Sequence, residues 1–330
     1  MEQQRKALKF GAMAIAFAVF LRLFGFAYAA ARDIFQDSEW LSLAVFLQTG
    51  RVVRFPKAQP PAKDPTEPIE LLPPGLPEAR PVFAEEDLQY VSVNDDTGYN
   101  PDLAALLTSA LNWDLTDGEP AVLIIHTHAT EAYTPTQGTQ YAASGDYRTL
   151  DEHYNMVSVG EAVARILQEG GVTVLHDKTY HDYPAYNGSY NNARKTIAAY
   201  LQIYPSIRLV LDIHRDAIAA GNGGQLDTSA VVDGRQAAQV MIVIGSDASG
   251  NYHPNWRENL ALALKLSAQL ERENPGITRP IHLRPERFNM DMTPGSLLIE
   301  IGGAGDTHQE ALLTAKALAR AVLALAKGSQ

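Results

Sequence analysis

The sequence predicts an α/β domain on a twisted, mostly parallel sheet with helices on both faces, preceded by a transmembrane helix and a proline-rich spacer. Three observations lead there. Short apolar runs alternate with helical stripes beyond about Asp95. Nine prolines crowd the stretch from Pro56 to Pro81, and a long apolar segment follows a basic N-terminal flank.

The N-terminal segment is apolar from Phe10 to Ala31 except for Arg22, with Arg5, Lys6 and Lys9 before it and Arg32, Asp33, Asp37 and Glu39 after it. About twenty helical residues suffice to cross a hydrocarbon core of roughly 30 Å. The basic flank stays cytoplasmic, which puts everything after Ala31 outside. Residues 1–31 are therefore read as an anchor, because the apolar stretch is longer than a usual signal-peptide core. Cleavage at the A-x-A-like Ala27-Tyr28-Ala29, or in Ala29 to Ala31, is the alternative. Residues 32–84 combine a short amphipathic segment around Trp40, Leu41, Leu43 and Phe46 with the proline run, whose missing donors favour an extended spacer.

Residues 85–330 carry the folded domain. Val122 to Ile125, Val172 to Leu175, Leu209 to Ile213, Val240 to Ile244 and Leu297 to Ile301 read as buried strands. Val159, Val163 and Ile166-Leu167 form one helical stripe, Leu262, Leu266 and Leu270 a second, and Leu318, Val322 and Leu325 a third. The first of these helices should stop at Gly170-Gly171. No long repeat is present, so a solenoid is not expected.

Composition narrows the chemistry. A formal net charge of −11 opposes a nucleic-acid partner, which needs clustered Lys and Arg. With no cysteine there is neither a disulfide framework nor a thiolate metal site, so any transition metal must be held by His and carboxylates. In open α/β sheets sites gather beyond the carboxyl ends of the strands. Three predicted strands end in suitable residues there: His126, His214 and Glu300. A lone histidine is usually a surface or satisfied core group, but three such residues at one end of a sheet make a site.

The segment His126-Thr127-His128-Ala129-Thr130-Glu131 offers three ligand candidates. If the strand continues through it, alternation sets His126 and His128 on one side; if the chain leaves the strand at once, they separate. A loop return brings Glu131 back towards His126, and His214 completes a His/Glu/His set with an open position, the requirement of a catalytic zinc ion, Zn2+. No HExxH sequence occurs. The pair His126 and His128 also raises a binuclear metallohydrolase acting on phosphoesters, although a second ligand set is not evident. Asp212 either orients a ligand or caps the sheet, and His128 is a candidate donor fixing a ligand's tautomer. Arg194 and Arg215 are candidates to hold substrate carboxylates through forked hydrogen bonds. Tyr133, Tyr186 and Tyr190 are candidates to line a cleft. His153, His176, His181, His253, His282 and His308 are left as structural or surface groups.

Four ordered segments, His126 to Tyr133, Tyr186 to Tyr190 with Arg194, Leu211 to Asp216 and Leu298 to Gly303, resemble the successive motifs of the stage II sporulation protein P family. The resemblance covers roughly residues 85 to 326. It implies a zinc amidase-like fold and a peptidoglycan hydrolase that cuts between N-acetylmuramic acid and L-alanine in the septal wall during forespore engulfment. Peptide cross-links are a further bond attributed to the family. It also implies work beside a glycan-cleaving partner, sporulation protein D, and the membrane protein M. By the same resemblance His126 and His214 are metal ligands and Glu300 is the general base. The third ligand is Glu131, or Glu152, since related amidases take a glutamate from the start of the following helix. A wall-binding scaffold without turnover is the non-enzymatic alternative.

Overall fold

The computed structural model describes residues 80–136, 141, 146–219 and 224–329. The expected anchor and most of the 32–84 segment lie outside the described residues. Among the described residues no helix is long and apolar enough to cross a membrane.

In chain order the elements are β1 (Val93–Asp95), α1 (Leu103–Thr108), β2 (Val122–Ile125), α2 (Met156–Glu169), β3 (Val174–His176), α3 (Ser189–Ile203), β4 (Leu209–Asp216), β5 (Ala230–Val232), β6 (Arg235–Ala237), β7 (Val240–Gly245), α4 (Trp256–Glu273), β8 (Ile281–Arg284), β9 (Ser296–Gly303) and α5 (His308–Ala324). Seven strands form one sheet in the order β1-β8-β7-β9-β4-β2-β3. Every neighbouring pair is parallel except β7 with β9. The predicted mostly parallel sheet is thus present, with one antiparallel junction between β7 and β9, so that β1, β8 and β7 run opposite to β9, β4, β2 and β3. β5 and β6 make a separate hairpin, closed by Asp233 and Gly234, both with positive φ, as a two-residue primed turn requires.

β2 is apolar and buried at all four positions, the pattern of a strand covered on both faces. Val122 and Ile124 pack into the larger core, which includes Val159, Val163 and Ile166 of α2, Leu260 and Leu264 of α4, and Leu318 and Val322 of α5. Leu123 and Ile125 turn the other way, with Val210, onto Ala193 and Ile197 of α3. Each such Leu or Ile contributes roughly 1.5–3 kcal/mol relative to an exposed position. The three expected helices are present as α2, α4 and α5, and α1 and α3 are additions. Asn155 caps α2 by accepting from the Val157 N–H at 3.0 Å, and α5 opens with a Thr307/Glu310 capping box. The turn before Gly171, which has φ +86°, ends α2 where the Gly-Gly pair predicts.

Register places the site. Ile125 of β2 lies opposite Asp212 of β4, and His214 of β4 lies opposite Glu300 of β9. These pairs stand near the carboxyl ends of three adjacent parallel strands. A register irregularity between His214 and Asp216 follows, of the kind that redirects side chains beside active sites.

Candidate metal centre

The chain leaves β2 after Ile125, so His126 and His128 part company. His126 is fully buried, and its Nδ1 lies 2.9 Å from the Ile213 carbonyl. Its Nε2 lies 2.9 Å from Nε2 of His176. Burial, with His176 adding to it, pushes the His126 ring down to about 3, so it is neutral. The expectation that His126 joins Glu131 and His214 is therefore corrected: its ring turns under α2. The His126/His128 pair that suggested a two-metal phosphoesterase diverges with it.

His128 takes the place expected of His126. Its ring stands edge-on to His214 with centroids 5.3 Å apart, stacks on Tyr186 at 4.5 Å and meets Tyr190 edge-on at 5.6 Å. Its Nδ1 is buried without a hydrogen-bond partner. Burial lowers its pKa to about 4 although Glu131 pulls the other way, which keeps a ring lone pair available.

Glu131 is held in place by a turn, its N–H donating to the His128 carbonyl at 3.1 Å. Glu131 Oε2 lies 3.6 Å from His214 Nδ1 and accepts from the Arg215 N–H at 3.3 Å. Glu131 Oε1 accepts from Arg148 at 3.3 Å. Glu152 is exposed on the preceding loop. Of the two carboxylates left open by the sequence, only Glu131 stands with the histidines.

Asp212 supports the cluster from behind. It accepts from the Thr127 N–H at 2.8 Å and the Thr127 hydroxyl at 2.6 Å, fastening the end of β2 to β4. Its Oδ1 lies 2.9 Å from His214 Nε2, close enough for an ion pair but off the line of a directed hydrogen bond. Burial favours a neutral Asp212, but His214 and the Thr127 donors outweigh it and hold the carboxyl at about 2. Burial likewise opposes charge on His214, and Asp212 and Glu131 overcome it and raise its pKa well above the usual value.

Glu300 is the contrasting carboxylate. Burial raises it to about 8, with His214 opposing and Glu131 adding to the shift, and its Oε2 has no hydrogen-bond partner. Glu131, by contrast, is drawn down to about 2 because His214 and Arg215 outweigh its burial. Two carboxylates pushed apart in this way are the pattern of divided acid-base roles. A salt bridge from Glu300 to Arg215, the structural alternative to catalysis, is absent among the described residues. The Arg215 guanidinium is instead bonded to the carbonyls of Ala132 at 2.8 Å, Asp146 at 2.7 Å and Tyr147 at 3.0 Å.

The expected substrate-carboxylate roles of the two arginines are corrected by these partners. Arg215 is buried and staples the loop around Asp146 and Tyr147. Arg194 makes a two-pronged bond to Asp291, both contacts 2.7 Å. Tyr133 is buried with its hydroxyl on the Ile301 carbonyl at 2.8 Å and lines no cleft. Tyr186 is more than half exposed beside His128. His176, set aside in the sequence, proves to be the partner of His126, a pairing of β2 with β3 that no spacing signal carries.

Among the described residues no three His, Cys, Asp or Glu side chains already converge on one point as ligands. The donor types are nonetheless those zinc takes: His128, Glu131 and His214 supply two imidazoles and a carboxylate. His128 Nδ1 is orphaned, His214 Nδ1 faces Glu131, and Asp212 stands behind His214 where the outer carboxylate of a ligating histidine would stand.

The sequence model of the family described as Stage II sporulation protein P (SpoIIP) matches residues 77–323. The chain belongs to the stage II sporulation protein P family. A family relative of that name from Bacillus subtilis (strain 168) is 26% identical over 215 residues, 62% of this chain and 50% of the relative. The chain thus spans about half the length of the curated relative it matches. Solved structures similar to this SpoIIP-family chain include the N-acetylmuramoyl-L-alanine amidase AmiC2 of Nostoc punctiforme, at 14% identity and a TM-score of 0.35 over 62% of this chain and 95% of that one. An N-acetylmuramoyl-L-alanine amidase from Clostridium difficile 630 is similar at 13% identity and a TM-score of 0.37, over 63% and 97%. The CwlD amidase from Clostridioides difficile, in complex with the GerS lipoprotein, is similar at 12% identity and a TM-score of 0.37, over 61% and 96%.

Proposed function

We propose that this SpoIIP-family chain is a zinc-dependent peptidoglycan hydrolase that cleaves the amide between N-acetylmuramic acid and L-alanine in the septal wall during engulfment. The observation that carries the reading is Glu300, a half-buried residue whose Oε2 is buried without a partner, set opposite His214 with Glu131 and His128 beside them. His128, Glu131 and His214 would hold the metal. When bound, zinc polarises the scissile carbonyl and acidifies water.

The chain's own residues do the rest. Glu300, in its carboxylate form, takes a proton from the attacking water and returns it to the leaving nitrogen. Asp212 holds His214 in orientation. Tyr186, exposed beside His128, forms one wall of the approach. The apolar Phe10 to Ala31 segment and the proline run support a single-pass membrane protein with its catalytic domain outside. Sporulation proteins D and M are the expected partners, and peptide cross-links a second bond class.

The test is digestion of purified peptidoglycan by the 330-residue chain. A strong chelator should abolish release of soluble fragments and added zinc should restore it. Full activity in the metal-free chain overturns the reading.

A further inference from the structure

We infer that His126 is a positioning residue: its imidazole locks the end of β2 to the end of β4 and so sets the spacing of the proposed ligands His128 and His214. This rests on the metal-site reading above and adds a role outside the ligand set.

The proton positions follow from the partners. The Ile213 carbonyl can only accept, so the His126 ring donates from Nδ1 across the 2.9 Å contact. Its Nε2 is then bare and accepts from Nε2–H of His176 at 2.9 Å. With its proton on Nε2, a neutral His176 has none on Nδ1 for Glu161 Oε2, 3.2 Å away, and that oxygen is held by Lys178 at 2.7 Å. The lone pair that a metal ligand would need is already in use. The backbone of His126 is fixed as well, since its carbonyl accepts from His181 Nδ1 at 3.0 Å.

The position matters because of what lies on either side. Ile213 directly precedes His214, and His128 follows His126 by two residues. One buried ring therefore joins the two chain segments that carry the two histidines. Gly160 of α2 is a second, independent sign of the same fit. A Cβ there would stand 2.5 Å from His126 Nε2 and 2.8 Å from His176 Nε2. Gly inside a helix is less favourable than Ala, and here its hydrogen leaves room for the paired rings.

The experiment uses the 330-residue chain with two readouts. Long-range 15N–1H imidazole spectra of the metal-free chain should show His126 protonated at Nδ1 and His176 at Nε2; the opposite tautomer of His126 overturns the inference. Zinc titration then separates the roles. H126N, whose side-chain amide can reproduce the Nδ1 donor, should bind zinc within about threefold of wild type, whereas H126Q and G160A should weaken it about 10- to 100-fold, as changes behind a ligand do. Loss of zinc by H126N and H126Q alike makes His126 a ligand and refutes the positioning role, as does unchanged zinc affinity in H126Q and G160A. If wild type binds no zinc, the metal reading fails, and the imidazole spectra still decide whether the lock exists.

Discussion

Replacing Asp212 by Asn keeps the volume and removes the charge behind His214. The carboxyl is held at about 2 against an ordinary value of 3.8, in a side chain 8% exposed. A displacement of roughly two units at 1.36 kcal/mol each amounts to about 2–3 kcal/mol, counted once for the Asp212–His214 pair. The sign follows from the direction. A carboxyl lowered by folding stabilises the fold fully above about pH 4, and that contribution fades as pH falls towards 2. Urea unfolding of D212N should therefore show a loss of about 2–3 kcal/mol at pH 7 relative to wild type, with the gap narrowing as pH drops below 4. Zinc titration of the same variant should show about 10- to 100-fold weaker binding, because His214 loses its orienting carboxylate. Equal stability at pH 7, or a gap that stays as wide at pH 3, would refute the electrostatic argument, and unchanged zinc affinity would refute the supporting role.

Glu300→Gln should retain zinc and lose about 10²- to 10⁴-fold in turnover, since the amide cannot carry the proton; loss of zinc in that variant makes Glu300 a ligand. Glu131→Ala should lose zinc and Glu152→Ala should keep it, read by metal content after dialysis. Arg194→Ala should cost about 0.5–1 kcal/mol in unfolding free energy, the scale of a partly exposed ion pair, with KM unchanged. A large KM increase would restore the substrate role that the Asp291 contact removes.

The sequence made the central strands legible because residues buried on both faces must be apolar throughout, as in Val122 to Ile125. β8 escaped because only Ile281 and Leu283 are buried, alternating with His282 and Arg284. α3 escaped because its buried stripe is little more than Ala193 and Ile197. The β5–β6 hairpin carried a readable signal, the turn pair Asp233-Gly234 directly after Val231-Val232. At the site, strand ends located His214 and Glu300, but assigning His126 over His128 depended on whether the chain continued the strand, which one-dimensional spacing cannot decide. The arginines were misread for a related reason: their partners, the loop carbonyls near Tyr147 and the Asp291 carboxylate, are distant in sequence.

The most direct test of the proposed activity is the chemistry of the new chain ends. Purified peptidoglycan incubated with the zinc-loaded chain should yield free stem peptides whose N-terminal residue is L-alanine, with glycan strands left uncut, as Glu300 and the His128, Glu131 and His214 donors imply for amide hydrolysis. Mass spectrometry after N-terminal labelling reads this outcome. Release of disaccharide units, or cutting of peptide cross-links alone with every L-alanine still bound to its sugar, would contradict it.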